Sequence, residues 1–150
     1  MLFKMERLEG TFFSHDDTEL FYQVWRPEKE SRGYVLLTHG LGEHSDCYNQ
    51  LASELAQDQW TVYAWDLRGH GRSDGKRGYA KDFNDMVKDL ESFTHFFKQE
   101  IQSPEAQAFL ISHSLGGLIQ LSFLANYEAK GFAASICSSP ALGISLDVPQ

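Results

Sequence analysis

Apolar positions along the chain fall first into two mixed stretches and then into short continuous runs. Residues 9–14 carry Phe12 and Phe13, and residues 20–25 run from Leu20 to Trp25. Between them stand His15, Asp16, Asp17 and Thr18. Aspartate side chains bond nearby backbone groups and tolerate tight turns, so this stretch predicts an N-terminal hairpin over 9–26. A polar loop follows over 27–32.

Three continuous apolar runs come next, at 34–38, 60–65 and 106–112. Runs of that kind suit strands buried on both faces, as in a parallel sheet. A helical pattern follows each. Tyr48, Leu51, Ala52, Leu55 and Ala56 recur at helical spacing, with Ser45 or Asp46 as the expected cap. Asp82 caps a longer helix, with Asp85 placed as in a capping box, and Pro104 marks its end. Phe83, Met86, Val87, Leu90, Phe93 and Phe97 share one face of it. Residues 115–127 predict a third helix stopped by Gly131, and residues 132–137 a last strand.

Two strands, three strand–helix units and a final strand predict an α/β fold: a mostly parallel sheet with helices on both faces. Sites in such sheets lie beyond the carboxyl ends of the strands. Three loops meet that demand, at 39–44, 66–74 and 112–117.

Composition narrows the function classes. The chain has 150 residues, a formal charge of −8 and 42 % apolar residues. A collagen, a disordered polar tract and a disulfide-dense mini-protein are excluded. The acidic balance argues against a nucleic-acid partner, which requires a basic face. The two cysteines, Cys47 and Cys137, form no zinc-ligand spacing and predict free thiols and no metal site. The N-terminus lacks the apolar core of a signal peptide, and no run is long enough to span a membrane. The expected location is the cytoplasm, with peripheral contact to a lipid surface left open.

The loop at 112–117 reads Ser-His-Ser-Leu-Gly-Gly between an apolar strand and an apolar helix. That is the context of a nucleophile elbow, a turn too tight for bulky neighbours, with Ser114 exposed at its tip. Small Ser112 and Gly116 flank it, and Gly117 lets the helix approach the sheet. The backbone N–H of Leu115 opens that helix and faces a developing oxyanion. The loop His39-Gly40-Leu41-Gly42 is placed to supply the second donor from Leu41. His39 and His44 read as loop-ordering histidines rather than bases, and His113 as packing under the elbow. In the loop at 66–74, Asp66 and Arg68 are expected to pair and support the site. Arg68, Arg72, Lys76, Arg77 and Lys81 read as a solvated loop rather than a basic patch.

At these residues the sequence resembles the monoacylglycerol lipase and lysophospholipase branch of the serine α/β-hydrolases. The match runs through His39-Gly40-Leu41-Gly42-Glu43-His44-Ser45, then Asp66-Leu67-Arg68-Gly69-His70-Gly71-Arg72-Ser73, and Ser138-Ser139-Pro140-Ala141-Leu142. The resemblance implies an eight-stranded sheet with a helical cap and a Ser-His-Asp triad. It implies hydrolysis of long-chain acyl esters without a cofactor. By position Ser114 is the nucleophile, and Leu41 and Leu115 provide the oxyanion N–H groups. Ser112 stands where the family has glycine. Residues 1–150 then hold about six strands: the hairpin at 9–26, an oxyanion loop at 39–45, the elbow at 112–117 and the start of a cap at about 140–150.

A serine hydroxyl needs a base, and the expected order is Ser, then Asp or Glu, then His. No histidine follows Ser114, and only Glu128 and Asp147 offer carboxylates there. A cap and two more strands, carrying the triad Asp and His, are therefore expected after Gln150, and a further strand would also cover the open edge of the apolar last strand. Three functions follow from this reading. The first is an esterase on monoacylglycerols or lysophospholipids. The second is the same chemistry on a peptide or small ester, as in an aminopeptidase. The third is a non-catalytic binding protein on a hydrolase scaffold, which predicts a degraded elbow.

Overall fold

The computed structural model describes residues 4–101 and 106–143. Strands β1 (Met5–Phe13) and β2 (Glu19–Pro27) form the N-terminal hairpin, in antiparallel register from Met5 opposite Pro27 to Phe13 opposite Glu19. Asp17 closes its turn at φ +61°, and Asp16 accepts the Thr18 N–H at 3.3 Å. Strands β3 (Gly33–Thr38), β4 (Trp60–Trp65), β5 (Ala108–His113) and β6 (Ala134–Ser138) complete one six-stranded sheet. Its order is β1-β2-β4-β3-β5-β6, antiparallel as far as β4 and parallel from there on.

Period-two alternation splits the buried strands between two cores. Val35, Leu37, Val62 and Ala64 face helix α1 (Asn49–Gln57) with Ala52, Ala56 and Trp25. Leu36, Tyr63, Trp65 and Leu110 face α2 (Phe83–Glu100) and α3 (Ser114–Asn126) with Phe93, Phe97, Ile119 and Phe123. Phe12, Trp65, Phe93 and Phe96 pack ring against ring in the second core. Truncating such a buried ring costs roughly 3–5 kcal/mol, so these rings hold α2 to the sheet. Among the described residues no helix is long and apolar enough to cross a membrane. Cys47 and Cys137 are free thiols.

Several local expectations are corrected. A 3₁₀ turn over Ser45–Tyr48 precedes α1, and neither Ser45 nor Asp46 caps that helix. Their side chains turn to the hairpin instead: Gln23 Nε2 donates to Ser45 Oγ at 2.6 Å, and Arg7 to Asp46 at 2.6 Å. Asp82 does cap α2, accepting the Asn84 N–H at 2.8 Å. Asp85 closes no capping box; its carboxylate lies 3.5 Å from His15 Nε2. Helix α3 stops at Asn126, with Tyr127 extended, so Gly131 at φ +93° shapes the link to β6 and does not end the helix. Pro104 and most of the expected cap segment lie outside the described residues.

Candidate active site

β5 ends at His113 and α3 begins at Ser114 with no intervening loop. The chain reverses within one residue, and Ser114 takes the left-handed conformation at φ +49°. A non-glycine residue there is strained, by roughly 1–3 kcal/mol, and persists only where its surroundings hold it. The small flanking residues are what make the turn fit. A Cβ at Gly116 would stand 2.4 Å from the His39 carbonyl oxygen, and one at Gly117 would stand 2.8 Å from the Pro140 ring. Ser112, the small residue two before Ser114, is buried and points at β6, with its Oγ 3.5 Å from both the Ile136 carbonyl and Cys137 Sγ.

The loop after β3 meets this elbow. A Cβ at Gly40 would lie 3.1 Å from the Cβ of Ser114, tighter than ordinary contact, so glycine lets the two loops touch without either having to give by a few tenths of an ångström. Residues 40–43 form a turn with Gly42 at φ +72°, closed by the Glu43 N–H on the Gly40 carbonyl at 3.3 Å. The same carbonyl accepts from His39 Nδ1 at 2.7 Å. A trans peptide sets C=O and N–H on opposite sides, so pinning the Gly40 carbonyl aims the Leu41 N–H the other way. Among the described residues no hydrogen bond engages that N–H. Leu115 lies in the first turn of α3, where amides have no partner within the helix. The site thus offers a serine hydroxyl on a strained turn and two amides free to receive an oxyanion.

His39 is fully buried, and both ring nitrogens are engaged: Nδ1 with Gly40, and Nε2 accepting the Leu67 N–H at 2.9 Å. These partners assign the proton to Nδ1. Burial pushes its pKa down to about 4, against the opposing pull of the Gly40 carbonyl and Asp66. His39 is therefore a neutral tie between the loops after β3 and β4, with no nitrogen left for Ser114. His113 is half-exposed beside the elbow rather than packed under it, with Nδ1 3.2 Å from the Ser138 carbonyl. Successive strand residues face opposite ways, so burial of Ser112 turns His113 outward. His44 is exposed, and its carbonyl accepts the Cys47 N–H at 3.0 Å.

Asp66 and Arg68 do not pair with each other. Asp66 accepts the N–H groups of Ser45 at 2.7 Å and Arg72 at 2.8 Å, clamping the loop after β3 to its own. Arg68 is buried and runs the other way, donating two bonds of 2.6 Å to Asp89 of α2 and reaching Asp16 at 3.0 Å. The loop is solvated as expected at Arg72, Lys76, Arg77 and Lys81, which are all exposed, and only Arg68 of the five is buried. Arg72 stacks 3.8 Å from the Phe21 ring centroid and pairs with Glu9 and Asp46, and Arg77 donates to the carbonyls of Gly71 and Ser73. His15, Asp16 and Asp89 cluster closely enough to hold a cation, but the Arg68 guanidinium already bonds both carboxylates.

Sequence reasoning passed over Glu43 and Tyr48. Glu43 Oε2 accepts the Gly40 N–H at 2.8 Å and the Tyr48 hydroxyl at 2.6 Å. Burial raises its pKa, but those two donors outweigh it, so the carboxyl ionises more readily than usual. Its spacing of three residues from Gly40, as in a reciprocal turn closure, was the available signal. A hollow of about 340 Å³ lies beside the elbow, lined among others by Glu43, Tyr48, His113 and Ser138.

Comparisons with known proteins agree with this geometry. Residues 29–150 match the family described as "Serine aminopeptidase, S33". The chain is 33 % identical over 136 residues to a monoacylglycerol lipase of Mycolicibacterium smegmatis, covering 91 % of this chain and 48 % of that protein. It is 34 % identical over 125 residues to the monoglyceride lipase of Rattus norvegicus, covering 83 % of this chain and 40 % of that one. The crystal structure of a Paleococcus ferrophilus monoacylglycerol lipase superposes with TM-score 0.67 at 31 % identity, over 97 % of this chain and 47 % of that one. The chain thus spans about half the length, or less, of the curated relatives it matches. The family match over most of the chain settles its kinship: it belongs to the serine aminopeptidase S33 family of α/β-hydrolases, on the monoacylglycerol lipase-like branch.

Proposed function

We propose that the protein carrying this chain is a serine ester hydrolase that cleaves lipid esters, monoacylglycerols or lysophospholipids, through an acyl-enzyme at Ser114. The observation that carries the proposal is Ser114 at φ +49° on the strand–helix junction, beside an unengaged Leu41 N–H. Ser114 Oγ attacks the ester carbonyl while a base takes its proton. The Leu41 and Leu115 amides stabilise the resulting oxyanion, each donor contributing roughly 2.7–4 kcal/mol. The carbonyl re-forms, the alcohol leaves with a proton from the base, and water then hydrolyses the acyl-serine by the same steps. All six histidines of the chain precede Ser114, whereas the order in this fold is Ser, then Asp or Glu, then His, so the proposal takes neither the base nor its carboxylate from residues 1–150.

A lipid substrate is supported by the names of the relatives and by exposed apolar side chains next to the elbow. Leu41 is 67 % exposed, and Leu142, 70 % exposed, follows Ala141, whose N–H bonds the Ser114 carbonyl at 3.0 Å. No cofactor is invoked. The reading places the enzyme in the cytoplasm with transient contact at lipid surfaces. The family description favours a second reading, cleavage of a peptide amide by the same serine.

The test uses the full-length protein. A fluorophosphonate probe is expected to label Ser114, and Ser114→Ala to abolish labelling and lower kcat by at least about 10³-fold. Turnover of long-chain monoacylglycerols well above aminoacyl amides is expected; the reverse preference would establish the peptidase reading. Labelling that persists in Ser114→Ala would sink both.

A further inference from the structure

Ser114 crowds the α-carbon of Gly40 closely enough that a side chain there would have to push a neighbour aside, and glycine at this position carries a cost. Glycine has the softest backbone, so the peptide that presents the Leu41 N–H hangs from a hinge. The two peptide units on either side of the Gly40 α-carbon are nevertheless both pinned. The Gly40–Leu41 unit is held through its carbonyl by His39 Nδ1 and the Glu43 N–H. The His39–Gly40 unit is held through its N–H by the Glu43 carboxylate at 2.8 Å. Glu43 is the residue that acts on both.

We propose that Glu43 is a positioning residue for acyl transfer at Ser114: its carboxylate, held by Tyr48, locks Gly40 so that the Leu41 N–H stays aimed at the oxyanion. This rests on the serine-hydrolase reading above. A Cβ at Gly40 would lie 3.1 Å from both Glu43 Oε2 and Ser114 Cβ, so carboxylate and nucleophile flank one α-carbon. The carboxylate does not donate to the oxyanion, and a negative charge near that oxygen would by itself oppose its formation. Its value is geometric. The Tyr48 hydroxyl, 2.6 Å away on the same oxygen, fixes the carboxylate and draws off part of its charge. Tyr48 sits at the end of the 3₁₀ turn, just ahead of α1, so the pin is anchored to a packed element rather than to the loop itself. An oxyanion donor misaimed by a fraction of an ångström loses most of its effect on the transition state and little on substrate binding.

The experiment compares Glu43→Ala, Glu43→Gln and Tyr48→Phe in the full-length protein on a soluble short-chain p-nitrophenyl ester. It measures kcat, KM, the rate of Ser114 labelling by a fluorophosphonate, and Tm. In Glu43→Ala, kcat and labelling rate should fall roughly 10- to 100-fold, with KM within about twofold of wild type. Glu43→Gln keeps an acceptor oxygen and should recover most of the loss. Tyr48→Phe should fall in the same direction by a smaller factor. If Glu43→Ala does not fold, Glu43→Gln and Tyr48→Phe carry the test, and a wild-type rate in both overturns the inference. A folded Glu43→Ala with unchanged kcat overturns it too, as does a raised KM at constant kcat, which would make Glu43 a substrate contact. Wild-type protein labelled at Ser114 confines either failure to this inference; wild-type protein that does not label there brings down the serine-hydrolase reading and this one with it.

Discussion

Gly116 passes the end of β3 so closely that a Cβ on it would stand 2.4 Å from the carbonyl oxygen of His39 and 2.5 Å from that of Thr38. Both are backbone atoms, one at the last paired residue of β3 and the other in the next residue, whose ring is bonded to Gly40 and Leu67, so neither is a flexible side-chain end that can swing aside. Gly116→Ala must push α3 away from the sheet, and is expected to lower stability by roughly 1–3 kcal/mol. The same displacement moves the Leu115 N–H, so labelling of Ser114 by a fluorophosphonate should slow as well. Denaturant unfolding and labelling rate, measured on one preparation, check the two effects together.

Asp66 bonds two backbone amides from two loops while almost fully buried. Asp66→Ala leaves both N–H groups without their acceptor and is expected to cost about 2–4 kcal/mol. Asp66→Asn keeps one carbonyl oxygen and should cost less. Hydrogen exchange at Ser45 and Arg72 reads the loss directly, and unchanged protection of both amides in Asp66→Ala would contradict the clamp.

Arg68 and Asp89 form a buried pair between the loop after β4 and α2, with Ser14 donating to the same carboxylate. Removing the arginine alone strands a buried charge, so Arg68→Ala is expected to destabilise by about 3–5 kcal/mol. Arg68→Met combined with Asp89→Leu removes both charges and should regain much of that. Urea midpoints of the single and double variants separate a stranded charge from lost packing.

The buried His39 sets a pH window. Its folded pKa of about 4 lies below the ordinary value of 6.5. Between these limits the unfolded chain binds the extra proton and the folded one does not. Stability from this group is therefore full above pH 6.5 and is lost as pH falls toward 4, on the order of 3 kcal/mol in all. Protonating Nε2 also breaks its bond from the Leu67 N–H. Stability profiles of wild type and His39→Asn should diverge in this range, and parallel profiles would refute the assignment.

Much of the framework was legible in the sequence, because a strand covered on both faces has to be apolar throughout. The runs at 34–38 and 60–65 match β3 and β4 closely, and the elbow stood out because a one-residue reversal admits only small neighbours. What stayed hidden depended on direction rather than residue type. Asp66 and Arg68 are two apart and looked like partners, but their side chains leave the loop on different sides, one to amides and one to α2. Asp89 gave a signal, since it stands four residues before Phe93 on the apolar stripe of α2, where a carboxylate needs a buried partner. Ser45 and Asp46 have the composition of caps, but Gln23 and Arg7 on the hairpin compete for them successfully.

β3 and β5 are neighbours in the sheet, paired from Tyr34 opposite Ala108 to Thr38 opposite Ser112. The separation of the loops they carry is set by one interstrand spacing, roughly 4.8 Å, and not by the long excursion of chain between them. Lengthening the exposed stretch around residues 75–81 would therefore leave the serine and its two amides where they are. Ser114 and the Leu41 amide, the proposed nucleophile and oxyanion donor, sit at the ends of strands joined by a ladder of hydrogen bonds, which leaves the intervening surface loop open to insertion without moving the site.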